Sequence, residues 1–251
     1  MSDLDRTVGL TSPHSRAQRP NLPRVSVLEH STIDPLWGYP SPGISRWPAV
    51  AAVVAALLLQ IRLPEKLSIG PGWLLPALEA VLLLVLVATN PSHDTKRAKE
   101  GRFLSLCLIA VLSLTNLTSL LLLVHNLLKT GNGIDGRPLV YAAIAIWFTG
   151  VLAYGLWFWE IDRGGPARRC HADHPAPDFL FPQMENPGVH KGPWSPSFLD
   201  YLYVSLTNST AFSPTDALPL TVRAKLLMAS QSMGSLATVA LVGARAVNIL
   251  K

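Results

Sequence analysis

Long apolar stretches separated by short polar ones set the outline of this chain. Five are long: Trp47 to Leu63, Trp73 to Thr89, Phe103 to Leu128, Leu139 to Ile161 and Val222 to Leu250. Runs of this kind, with few charges inside them, predict helices that sit in the hydrocarbon of a bilayer. A sixth, Ser197 to Phe212, begins apolar and aromatic (Phe198, Leu199, Tyr201, Leu202, Tyr203) and ends in hydroxyls. As a helix it would be about 24 Å long, which falls short of a hydrocarbon core of about 30 Å. The first run, about 25 Å, spans only with local thinning, whereas the third, about 39 Å, has to tilt. The pattern predicts an all-α, polytopic transmembrane bundle of about five long helices plus one short re-entrant segment that resembles a pore helix. Residues 1–46, rich in proline, serine and arginine, read as a mobile or interfacial tail. A four-helix region then covers 47–161, a proline-rich polar loop covers 162–196, and a hairpin with the last helix covers 197–251.

Composition alone would not separate this reading from a soluble protein. Apolar residues make up 49% of 251, and it is their bunching that points to a membrane. The net charge of +5 is carried mainly in the tail and short loops, which argues for topology and anionic lipid as the partners of the basic residues, and against nucleic acid. Lys96, Arg97, Lys99 and Arg102 cluster in the loop Asn90 to Arg102 and mark it as cytoplasmic; Arg6, Arg16, Arg19, Arg24 and Arg46 mark the tail likewise. With no signal-peptide pattern, the expected location is a plasma membrane.

Polar residues inside the apolar runs are the next candidates. Glu79 lies within the second run, where a carboxylate is expensive and therefore suspect as functional, or else is hydrogen-bonded toward the bundle. Asn116 and His125 in the third run and Gln231 in the last can bridge helices, and Asp200 falls in the short sixth segment. Ala229, Ser232, Ser235, Ala237, Ala240, Gly243 and Ala244 would allow close helix approach on the last helix, which favours a homo-oligomer. In the loop 162–196, Cys170, His171, Asp173 and His174 are ligand types, but their spacing fits no closed zinc motif, and the loop reads as solvated. Cys107 lies in a span, so a disulfide with Cys170 is not expected. No catalytic constellation, metal site or cofactor signature is visible, and no enzyme activity is expected.

The hydroxyl-rich turn carries a resemblance. TNSTAFSPTDALPLTVRAK resembles a degenerate two-helix potassium-channel pore signature, with Thr207, Thr210, Asp216, Pro219, Thr221 and Arg223 on the pattern after one inserted residue. The wider chain, including PDFLFPQM at Pro177 to Met184, is similar to a group of uncharacterised bacterial multi-pass membrane proteins. The pore resemblance implies a tetramer with a monovalent-cation path framed by Thr207, Asn208, Ser209, Thr210, Ala211, Phe212, Ser213 and Asp216. The filter glycines are absent: Ala211, Phe212, Ser213 and Pro214 stand there, and proline and bulky residues resist the backbone such a filter needs. Two alternatives stay open. Ser213 to Thr221 can be an ordinary helix-connecting turn, and the chain can be a non-conducting structural or accessory subunit. A pore loop of the potassium-channel kind enters from outside and would place the basic loop outside too, against the positive-inside rule. The competing topology has four full spans and a segment that dips in from the cytoplasm.

Overall fold

The computed structural model describes residues 45–68, 70–89, 95–128, 136–171, 174–185, 194–211 and 217–249, all in one compact unit, Ile33–Lys251. Almost all of the expected tail lies outside them. The fold is mostly helical, in the order α1 (Trp47–Ile61), α2 (Leu74–Thr89), α3 (Thr95–Leu128), α4 (Gly136–Ile161), β1 (Phe179–Leu180), α5 (Pro182–Glu185), α6 (Phe198–Ala211), β2 (Leu218–Pro219) and α7 (Val222–Ile249).

Local chemistry sets the boundaries. Pro48 lies in the first turn of α1 and Pro138 in that of α4, where a missing N–H costs nothing. After α1 the chain meets Pro64, which disfavours helix at the residue before it. α4 stops where Arg163, Gly164 and Gly165 all take positive φ (51°, 80° and 95°), a left-handed exit that glycine accepts readily. α3 begins eight residues earlier than the apolar run predicts. Eight of the thirteen residues of the expected basic loop Asn90 to Arg102 are helical, because lysine, arginine, alanine and glutamate are strong helix formers whatever their polarity.

Among the described residues, three helices are long and apolar enough to cross a membrane: Lys99–Leu127, Pro138–Gly164 and Val222–Gly243. The expectation of five long helices is corrected for α1 and α2, which have 15 and 16 residues and reach about 23 Å. Side chains such as Val81 and Leu84 of α2 and Leu226 and Met233 of α7 are exposed on the outside, a surface suited to lipid.

α4 is the central helix, in contact with α1, α3, α6 and α7. Over its apolar window 56% is buried, against 33% for α3 and 22% for α7. One core cluster joins α1, α3, α4, α6 and α7 through Val53, Leu112, Leu156, Phe158, Tyr201 and Met228; a smaller one holds Leu67, Leu123, Leu139 and Ile146 at the opposite end. Arg46, Ser105 and Glu160 border one cavity, so α1 and α3 start where α4 ends. This is called the polar end below.

The segment after α4 is not a solvated loop. Asp162, Arg163, Gly164, Gly165, Pro166, Arg169, His174, Pro177 and Asp178 are buried, because the stretch carries its own apolar anchors. Phe179 packs on Phe158 and Tyr201, and Phe181 on Trp194 and Tyr201. A two-stranded antiparallel ladder pairs Phe179 with Pro219 and Leu180 with Leu218.

Candidate functional site

The site is the α6 to α7 hairpin, and its geometry follows from contacts with α4. Phe198 stacks edge-on against Trp159 at 5.8 Å. Leu202 lies on Gly155, where an added Cβ would come within 3.3 Å of the Leu202 backbone. Ser205 Oγ donates to the Val151 carbonyl at 2.6 Å. Numbers rise along α6 as they fall along α4, so the two are antiparallel. α7 behaves alike: Ser230 Oγ meets Tyr154 Oη at 2.9 Å, and Trp147 Nε1 donates to Ser235 Oγ at 2.7 Å. α6 and α7 are therefore parallel to each other, although only residues 212–221 separate them. A tight helix-connecting turn joins antiparallel helices, whereas these two run parallel.

Polar side chains clamp the two parallel helices together. Gln231 of α7 is buried, and its Nε2 donates toward the Ser205 carbonyl, Ser205 Oγ and Ser209 Oγ at 2.9, 2.6 and 2.7 Å. Its Oε1 accepts from Asn208 Nδ2 at 2.8 Å, and the same amide donates to the Met228 carbonyl at 3.0 Å. Ser235 Oγ donates to the Ser209 carbonyl at 2.6 Å. Asn208 and Ser209 thus face the seam between α6 and α7. Thr210 is exposed and Thr207 half-buried, their hydroxyls donating to carbonyls one turn back, which leaves oxygen lone pairs as acceptors. Ala211 ends α6; Phe212, Ser213 and Asp216 lie outside the described residues.

A second set of anchors pins the start of α7 to the polar end. Asp178 is fully buried; its carboxylate receives Arg223 Nε and Nη2, both at 2.6 Å, and Thr221 Oγ1 at 2.5 Å. Its carbonyl accepts from Leu220 N at 2.8 Å. Thr221 Oγ1 also accepts from Ala224 N at 3.3 Å, an N-cap for α7. Asp162 accepts from Asp178 N at 2.7 Å and from Tyr201 Oη at 2.5 Å. Buried Arg169 donates to the Trp159 carbonyl at 2.8 Å and to Tyr201 Oη at 3.1 Å, and lies over both rings. Burial pushes the Tyr201 phenol well above its ordinary value, so it remains a proton donor to Asp162. The resemblance residues Pro219, Thr221 and Arg223 are thereby joined to the PDFLFPQM motif, as two halves of one latch.

The remaining candidates are dispersed. Glu79 is buried, with Oε1 accepting from Thr115 Oγ1 at 3.1 Å, in line with the bundle-facing reading. Asn116 packs against Gly150, and His125 is exposed at the far end of α3. Asp200 lies in the first turn of α6, where its Oδ2 accepts from Ser197 N and Oγ at 2.7 and 2.8 Å, the carboxylate half of a capping box. In the CHADH stretch Cys170 and His171 are exposed and His174 is buried; Asp173 lies outside the described residues. Asp162, Arg169, Asp178 and Tyr201 are absent from the sequence-based candidates. Of these, Asp178 carries a sequence signal, a charge set against apolar neighbours in Pro-Asp-Phe-Leu-Phe. No protein-family model, curated protein or solved structure matches this chain.

Proposed function

We propose that the chain is a channel-like subunit of a membrane, with the connection between α6 and α7 forming the wall of a cation path in an oligomer, a tetramer if the resemblance holds. The parallel run of α6 and α7 carries this reading. The chain enters from the polar end along α6, about 20 Å long, and must be back at that end by β2. Six residue steps from Ala211 to Ala217 reach at most about 20 Å, so the length of the connection is matched to the depth of α6. A half-span that returns to its side of entry and is followed by a full-length helix is the layout of a pore loop, and irregular backbone at that depth requires protein or water around it. Hydroxyls of Thr207 and Thr210, backbone carbonyls and the Asp216 carboxylate would meet the cation. Absence of glycine from 207–216 favours one alternative, an accessory subunit that keeps the hairpin without conduction.

Monovalent-cation flux into liposomes separates the two. Wild type should conduct above empty vesicles, with Thr210→Ala and Asp216→Asn each lowering the flux several-fold. Flux no greater than in empty vesicles would leave the accessory reading.

A further inference from the structure

A cavity of about 340 Å³ opens at the polar end between α1, α2, α3 and α4. It does not belong to the hairpin. Its walls are mostly apolar, with Val53 of α1, Leu83 of α2 and Leu108 of α3 among them, and Arg46, Ser105, Trp159 and Glu160 supply its polar lining. Two buried atoms there have no hydrogen-bond partner among the described residues. Glu160 is 2% exposed, and although Ser105 bonds its carboxylate, Oε2 is left unmet; Trp159 is 4% exposed and its Nε1–H has no acceptor. Arg46, Arg169 and Arg102 are the cations around Glu160, but among the described residues none forms an ion pair with it. Gly165 lies beside Glu160: a Cβ there would meet Glu160 Oε2 at 3.2 Å and Arg102 Nε at 3.5 Å, and that Nε also has no partner among the described residues.

Buried polar groups in native proteins are normally satisfied, and the unmet valences specify the missing ligand. The Glu160 oxygen needs an N–H or O–H donor. The Trp159 indole needs an acceptor, and Arg46 and Arg102 favour a negative one. Donor and anion must sit a few ångströms apart on a molecule whose remainder is hydrocarbon. We infer that this cavity binds a phospholipid with a primary ammonium, phosphatidylethanolamine in type, its ammonium on Glu160, its phosphate toward Arg46 and Trp159, and one acyl chain between α1, α2 and α3. A choline headgroup carries no N–H for Glu160, and a glycerol headgroup offers only neutral O–H donors, without the charge that makes the ammonium bond to the carboxylate the stronger one. The inference requires a membrane location but not conduction.

The test is lipid retention by the full-length protein, extracted in mild detergent and measured by native mass spectrometry and thermal stability. Phosphatidylethanolamine should stay bound and raise the Tm, while phosphatidylcholine and phosphatidylglycerol should not. Glu160→Gln should weaken retention about tenfold, the loss expected for one charge-assisted hydrogen bond. Leu83→Trp fills the apolar part and leaves the polar end unchanged, so it should expel the lipid even if Glu160→Gln fails to fold. Soluble phosphoethanolamine should give no protection. Equal retention of the three lipids, retention by Leu83→Trp, or equal protection by phosphoethanolamine would overturn the assignment.

Discussion

Replacing Gln231 by leucine would remove four hydrogen bonds across the seam between α6 and α7. Asn208 keeps the Met228 carbonyl and Ser205 keeps Val151, so the loss is partial; about 2–3 kcal/mol is expected, as buried groups left short of partners cost about 1–3 kcal/mol. Thermal unfolding in detergent should show it as a lowered Tm, and Gln231→Glu should do no better, because a carboxylate cannot donate to Ser205. Arg223 is a different case. Its side chain is 53% exposed while Asp178 is fully buried, so solvent screens the cation but not its partner. Arg223→Gln should cost about 1–2 kcal/mol, below the range for a fully buried pair. Combined with Asp178→Asn it should lose less than the sum of the single changes, and strict additivity would show that the Arg223–Asp178 pair carries no coupling energy.

At the level of the helices, α6 is placed by Gly155 as much as by hydrogen bonds. Gly155→Val should push α6 off α4, since even a Cβ lies 3.2 Å from Leu202 Cδ1 and 3.3 Å from Leu202 Cα. A drop of about 1–3 kcal/mol in stability is expected for overpacking, together with a loss of flux if α6 supports the pore; unchanged flux would detach α6 from conduction. The helices themselves were legible in the sequence because hydrocarbon burial leaves long apolar runs, and the short sixth run kept its odd length in the fold. The start of α3 was not legible, as helix propensity without apolar residues leaves no mark in hydropathy. The relation between PDFLFPQM and Pro-Leu-Thr-Val-Arg was not legible either. Each motif reads as a local peculiarity, and only the three-dimensional pairing of Asp178 with Thr221 and Arg223 makes them one object. Asp162 and Arg169 were read as loop residues because charge normally signals solvent, and their mutual compensation depends on residues far apart along the chain.

For the whole molecule the open quantity is sidedness, and the fold reduces it to one choice. The starts of α1 and α3, the end of α4 and the start of α7 share the polar end. Exposed Cys170 reports on all of them, with half-buried Cys107 in α3 as the internal control. The positive-inside bias of Arg46 and Arg102 predicts that a membrane-impermeant maleimide labels Cys170 only after lysis. Labelling of intact cells with the outer permeability barrier opened would instead put the hairpin's entry outside, as in potassium channels, and override the charge bias.

The parallel arrangement of α6 and α7 also bears on how the protein is made. α6 leaves the ribosome before the helix that holds it, and until residues 221–235 follow, Asn208, Ser209 and the Asp178 carboxylate lack their partners on that helix. In a chain inserted as proposed above, the short segment is too brief to be released into lipid as an independent span and would wait at the insertion machinery or on the surface of α4. Assembly is therefore completed from the C-terminal side, and a nascent chain interrupted before Arg223 carries its most polar hairpin unsupported, in the form a membrane protease is best able to seize.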